Sequence, residues 1–109
     1  MANLDQIADY IADNMSEIIY EDHGSGSAMN FAAGSVGTYA TVRNLGVSKT
    51  GYKPISVMVC DLNHASSYYV VPDLKTSTDT VACVIYRAMT SAYTIPQNDF
   101  YIRVVYIKE

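Results

Sequence analysis

The sequence predicts a mostly-β domain, an antiparallel sandwich or barrel, behind one short N-terminal helix. Two observations lead there. From residue 17 onward, short runs rich in Val, Ile, Thr and Tyr recur, each bounded by Gly, Pro, Asn, Asp or Ser. Only residues 3–15 carry helical periodicity, so a βαβ arrangement has no crossover helices to draw on.

Residues 3–15 read as a helix because Leu4, Ala8, Ile11, Met15 and Ile18 recur at spacings of four and three, with Ile7 widening the stripe. Asn3 can cap it, Asp5 suits the positive end of its dipole, and Asp9 and Asp13 fall on the polar side. A helix this short is marginal alone in water, so its stripe must pack on something. Either the chain's own β-domain or the same helix from sister subunits would serve, and the 4-3-4-3 spacing favours the second. The domain division is therefore 1–15, a stem or oligomerisation helix, and 16–109, the β-domain.

Strands are expected over 17–22, 28–33, 36–45, 52–62, 67–72, 80–89 and 100–107. The turns between them are marked by His23-Gly24-Ser25-Gly26-Ser27, Gly34, Ser48-Lys49-Thr50-Gly51, Asn63-His64-Ala65-Ser66, the stretch from Pro72 to Asp79, and Pro96-Gln97-Asn98-Asp99. Two strands are apolar on both faces. Ile55, Val57 and Val59 alternate with Met58, Cys60 and Leu62, and Phe100, Ile102, Val104 and Tyr106 alternate with Tyr101, Arg103, Val105 and Ile107. A two-layer sandwich should be polar outside. The outer faces are thus expected to be covered by a loop, by the helix or by another subunit, which points to a homo-oligomer.

Composition narrows the function. At 50% hydrophobic and 17% charged the chain is too apolar for disorder, and its low charge suggests that some surface faces protein. The net charge is −4, and the seven basic residues are scattered singly, which disfavours nucleic acid. No apolar run approaches the roughly 20 residues of a membrane span. The N-terminus lacks the basic segment of a signal peptide, so a soluble protein made in the cytoplasm is expected. Cys60 and Cys83 sit in apolar runs and read as buried free thiols, with a disulfide between neighbouring strands as the alternative.

No catalytic signature emerges. Gly24-Ser25-Gly26-Ser27 lacks the Lys-Ser/Thr pair and the helix of a phosphate loop. Neither it nor Gly34-Ser35-Val36-Gly37 forms a nucleophile elbow. His23 and His64 each have an acidic neighbour, Asp22 and Asp61, and Cys60, His64 and Cys83 would be three zinc ligands if strands brought them together. Buried packing accounts for the cysteines more simply, so no metal, cofactor or catalytic residue is expected. Ten tyrosines against two Phe and no Trp are the most unusual feature. β-propensity explains most of them, and a contact surface for carbohydrate or protein is the functional alternative.

The opening Met-Ala-Asn-Leu-Asp-Gln-Ile-Ala-Asp-Tyr-Ile-Ala-Asp, the middle Thr50-Gly51-Tyr52-Lys53-Pro54-Ile55 and the closing Tyr-Ile-Arg-Val-Val-Tyr-Ile-Lys-Glu resemble small proteins from tail modules of phages and prophages of gut Firmicutes. The resemblance implies a tail-fibre or baseplate head domain. Such a domain is a trimer with a helical stem and a jelly-roll-like antiparallel β-sandwich that contacts host surface polysaccharide or protein. The chain is accordingly expected to be a non-enzymatic, virion-associated structural or receptor-binding module that forms a homotrimer. Tyr68, Tyr69, His64 and Tyr93 are the candidate ligand-binding residues, and Leu4, Ala8, Ile11, Met15 and Ile18 the oligomerisation seam. A monomeric carbohydrate-binding domain, or a small enzyme using Asp61 and His64, are the alternatives.

Overall fold

The computed structural model describes Gln6, residues 17–34 and residues 40–109. Among these residues eight strands form: β1 (Ile18–Gly24), β2 (Met29–Phe31), β3 (Ala40–Gly46), β4 (Tyr52–Leu62), β5 (Tyr68–Lys75), β6 (Thr80–Arg87), β7 (Tyr93–Ile95) and β8 (Phe100–Lys108). All pairings are antiparallel. One sheet has the order β1-β8-β4, a second β3-β6-β5, and β2 and β7 form a two-stranded ribbon. The first strand thus pairs with the last, the second with the seventh and the third with the sixth.

Period-two alternation in the two central strands decides which residues leave water. On β8, Phe100, Ile102, Val104 and Tyr106 are fully buried, while Tyr101, Arg103 and Val105 between them are half-buried. On β6, Val81, Cys83 and Ile85 are fully buried and the residues between them are not. Both sets belong to one hydrophobic cluster, joined by Met29 and Phe31 of β2, Ile95 of β7, Val47 and Tyr68. The inner faces of the two sheets therefore share a single core.

The first strand pair becomes the second at a corner. Residues 25–28 link β1 to β2, and residues 96–99 link β7 back to β8. The Ser25 amide donates to the Phe100 carbonyl (2.9 Å), and the Asn98 amide donates to the Gly26 carbonyl (2.9 Å). The Gly26 amide donates in return to Asn98 Oδ1 (2.9 Å). Gly26 sits at φ +88°, where a Cβ is disfavoured, and Asn98 at φ +52°, which Asn tolerates better than most residues. At Gly24 a Cβ would overlap the Asn98 amide.

Tyr106 shows how a polar atom is accommodated in this core. Its hydroxyl donates to the Val47 carbonyl (2.7 Å), which uses its only proton. The 3.0 Å contact with His23 Nε2 therefore requires the imidazole to donate there. Burial, and then the negative charge of Glu21, push the Tyr106 hydroxyl above its ordinary pKa.

The expected strands over 52–62, 80–89 and 100–107 correspond closely to β4, β6 and β8. Elsewhere the boundaries differ for identifiable reasons. His23 and Gly24, expected in a turn, complete β1, because the turn chemistry starts only at Ser25. Pro72, expected to end a strand, lies inside β5. β5 is an edge strand, where a residue without an amide proton can be accommodated. Pro54 in β4 is likewise at a sheet edge, beside one of that strand's two bulges. The three-residue β7 had no expected counterpart. The helix over 3–15 lies, apart from Gln6, outside the described residues.

Truncating the inner face of β8 tests the shared core. Ile102→Ala is expected to destabilise the domain by about 2–5 kcal/mol, read as a fall in the urea midpoint. A change below about 1 kcal/mol, as at surface positions, would show that this strand does not hold the core.

Candidate functional site

At one end of the molecule, the β4–β5 turn meets the β7–β8 turn. The Asn63 amide donates to the Asp99 carbonyl (3.2 Å) and the Ser67 amide to the His64 carbonyl (2.9 Å), closing the first turn against the second. The Asp99 amide donates to the Pro96 carbonyl (3.2 Å). This backbone scaffold places one carboxylate where two side chains reach it.

Asp99 is only 4% exposed, so its charge needs donors. His64 Nδ1 lies 2.8 Å from both carboxylate oxygens, and the Tyr68 hydroxyl donates to Oδ2 at 2.6 Å. A carboxylate facing Nδ1 favours a proton on that nitrogen, so the imidazole donates to Asp99. The His64 side chain is 48% exposed, and Tyr93 meets it edge-on with ring centroids 6.2 Å apart. Tyr68 is fully buried and packs on Phe100 at 6.1 Å. Burial, then the hydrogen bond to Asp99 and its charge, push the Tyr68 hydroxyl well above its ordinary pKa. The result is a partly exposed imidazole–phenol surface on a buried, hydrogen-bonded carboxylate. It can offer hydrogen bonds and ring edges to a ligand.

Of the four tyrosine and histidine positions singled out from the sequence, His64, Tyr68 and Tyr93 meet here. Tyr69 does not. It faces outward from β5 and stacks on Tyr86 with centroids 4.9 Å apart. Sequence proximity had linked His64 to Asp61, but the bonded carboxylate is Asp99, 35 residues away, and Asp61 is exposed. His23 is likewise bonded to Tyr106 and not to Asp22, which Arg103 holds. Of the seam residues, Ile18 opens β1 with its side chain exposed, and Leu4, Ala8, Ile11 and Met15 lie outside the described residues.

The cysteines are free and far apart in role. Cys83 is in the core, where burial pushes its thiol up to about 11. Cys60, expected to be buried, instead points outward from β4. Among the described residues no group of three His, Cys, Asp or Glu is placed to hold a metal ion. A groove of about 400 Å³ lies between β2 and β3, lined by Met29, Phe31, Thr41 and Arg43 among others. Arg43 closes its margin by donating to the Ser25 and Ser27 carbonyls.

Both outer sheet faces carry exposed apolar side chains. On β3-β6-β5 the register aligns Val42, Val84 and Val71 across three strands, and Val42 and Val71 are exposed. On β1-β8-β4, Ile18, Tyr20, Met58 and Ile107 are exposed. At the centre of this face Arg103 grips Asp22 through two hydrogen bonds (2.8 and 3.0 Å), and its guanidinium lies 4.3 Å from the Tyr20 ring centroid. The Arg103 bonds hold the Asp22 carboxyl below its usual range.

Comparison with known protein families, with curated proteins and with solved structures finds no match to this chain. The site therefore stands on its own geometry.

Two outcomes follow. An unfolded tyrosine loses its proton near pH 10, whereas folded Tyr68 keeps it to higher pH. Its contribution to stability is thus complete below about pH 10 and is lost as the pH rises beyond it. Tyr68→Phe is expected to cost about 1–3 kcal/mol at pH 7 and to reduce the alkaline loss of stability, both read from urea midpoints. Unchanged stability at pH 7 would mean that Asp99 does not need this donor. Separately, iodoacetamide should modify Cys60 in the folded protein and Cys83 only on unfolding; equal rates in native buffer would contradict the burial of Cys83.

Proposed function

We propose that this chain is a non-enzymatic structural and host-binding module of a phage or prophage tail. In this reading it is a jelly-roll-type sandwich that self-associates, as a trimer, through its N-terminal segment and its sheet faces. Its loop end contacts surface glycan or protein. The nested pairing of β1 with β8, β2 with β7 and β3 with β6 supports the jelly-roll assignment, since that fold rolls a long antiparallel ribbon. The roll is imperfect, because β4 and not β3 lies beside β8.

The observation that carries self-association is the apolar character of both outer faces. A sandwich that ends at its own surface should alternate apolar inside with polar outside. Here Ile18, Tyr20, Met58 and Ile107 on one side, and Val42, Tyr69 and Val71 on the other, remain in solvent. Ligand contact is supported by the His64 ring, which the buried Asp99 holds in place, and by the Tyr93 ring that meets it edge-on. The same pair of rings also favours a second reading, a monomeric carbohydrate-binding domain.

Absolute mass separates the two. Light scattering on the intact chain is expected to give a multiple of 12.0 kDa that falls when residues 1–15 are removed. A monomer's mass for both forms at every concentration, 12.0 kDa for the intact chain, would exclude self-association and leave the monomeric domain. On either reading, His64→Ala or Tyr93→Ala should abolish retention on whichever surface polysaccharide the parent binds.

A further inference from the structure

We infer that the outer face of the β1-β8-β4 sheet, built around Tyr20, Met58 and Val105, is the surface through which copies of this chain meet. The inference rests on the self-association proposed above and assigns it to one face.

Size is the first consideration. On this face Ile18 is 48% exposed, Tyr20 60%, Met58 50% and Ile107 37%. Together they leave the equivalent of about two large side chains in solvent, on the order of 400 Å² of apolar surface. A standard interface buries about 800 Å² per partner, a little over half of it apolar. The face therefore supplies the apolar share of a stable contact. The opposite face, with Val42, Val71 and Tyr69, offers less, and Tyr69 is already stacked on Tyr86.

Charge is the second. The chain carries a net charge of −4, which opposes the approach of copies wherever acidic groups stand alone. At the centre of this face the register places Asp22 beside Arg103 and Tyr20 beside Val105, and the acid is gripped by its own base. Two identical faces can meet there without setting like charges against each other. Away from that centre the exposed Lys53 and Asp61 of β4 stand toward opposite ends of the face, beside Ile107 and Tyr101, so two copies related by a two-fold axis can set acid against base.

Continuity is the third. Leu4, Ala8, Ile11 and Met15 carry a 4-3-4 apolar spacing in the sequence, and Ile18, which follows them, is not part of that helical pattern but opens β1 on this face. That spacing belongs to segments that pair with their own kind. The edges of the fold agree. β4 has two bulges and Pro54, and β5 has Pro72, all devices that blunt a sheet edge, whereas β1 has neither bulge nor proline. β3 lacks them too, but its Thr41, Val42 and Arg43 border the groove against β2.

Cys60 provides a built-in reporter. It lies on this side of β4, against Asp22 and the Tyr101 carbonyl, while Cys83 stays silent in the core. The test compares the intact chain with Met58→Asp and Ile107→Asp on this face and Val71→Asp on the other. Light scattering reports mass, alkylation of Cys60 reports exposure, and circular dichroism confirms folding. Each substitution on this face is expected to weaken association at least about a hundredfold, because it sets like charges against one another. Both should speed Cys60 alkylation, and Val71→Asp should change neither. Unchanged mass in both variants, or dissociation by Val71→Asp alone, would overturn this interface while leaving self-association intact. A parent that is monomeric throughout would overturn both. In that case, a rise in Cys60 reactivity on deleting residues 1–15 would assign the face to the chain's own N-terminal segment.

Discussion

Phe100, Ile102, Val104 and Tyr106 alternate along a strand that is hydrogen-bonded on both sides, so they leave water together or not at all. Burying each large apolar side chain stabilises the fold by about 1.5–3 kcal/mol before entropy is counted. Among the described residues no other strand joins β1 to β4, so the first sheet depends on this burial. The second sheet is built the same way around Val81, Cys83 and Ile85 of β6. The register of both central strands is strongly specified, because a one-residue slip would exchange the core set for the outer set.

Two polar side chains enter this core beside β8, each with partners. Tyr106 is bracketed by Val47 and His23 near one end of β8, and Asp99 immediately precedes the other end, bracketed by His64 and Tyr68. Each cluster ties a loop to the central strand. Asp99 ties the β4–β5 turn to the start of β8 through both its carboxylate and its backbone carbonyl, which anchors the candidate ligand surface to the core beneath it. That is how a loop-borne site acquires its geometry: the His64 ring is bonded to a buried carboxylate that cannot move without losing its donors, and Tyr93 packs edge-on against that ring.

Much of this architecture was legible in the sequence because alternation is local. The runs at 52–62 and 100–107 showed their two faces residue by residue, and the structure places the Phe100 face inward, as period-two spacing requires. What escaped was short or non-local. β7 is three residues, Tyr-Thr-Ile, too few for any period to register. Pro72 reads as a strand breaker until it is known that β5 lies at an edge. His64, Tyr68 and Tyr93 were named as candidate ligand residues and do lie together, but Tyr68 is buried and cannot present its ring to a ligand, and the residue that gathers them, Asp99, was hidden in a Pro-Gln-Asn-Asp turn. Nothing in a turn sequence says that its last carboxylate will be buried. Sequence adjacency pointed to Asp61 instead, because the pairing that matters joins two loops that meet only in the folded sheet.

The same alternation that hides Phe100 and Ile102 forces the residues between them outward, and here those residues are not polar. Val105 and Ile107 on β8, Ile18 and Tyr20 on β1 and Met58 on β4 cannot all be absorbed by the core, since turning any one inward would expel its neighbour. A chain selected only to be a stable monomer would have lost little by carrying Thr, Lys or Glu at these positions, where exposed substitutions are usually worth under about 0.5 kcal/mol. Their apolar character is therefore not explained by the fold that holds them. The self-association proposed above would account for it by removing them from water, and the neutral Asp22–Arg103 pair at their centre fits that proposal.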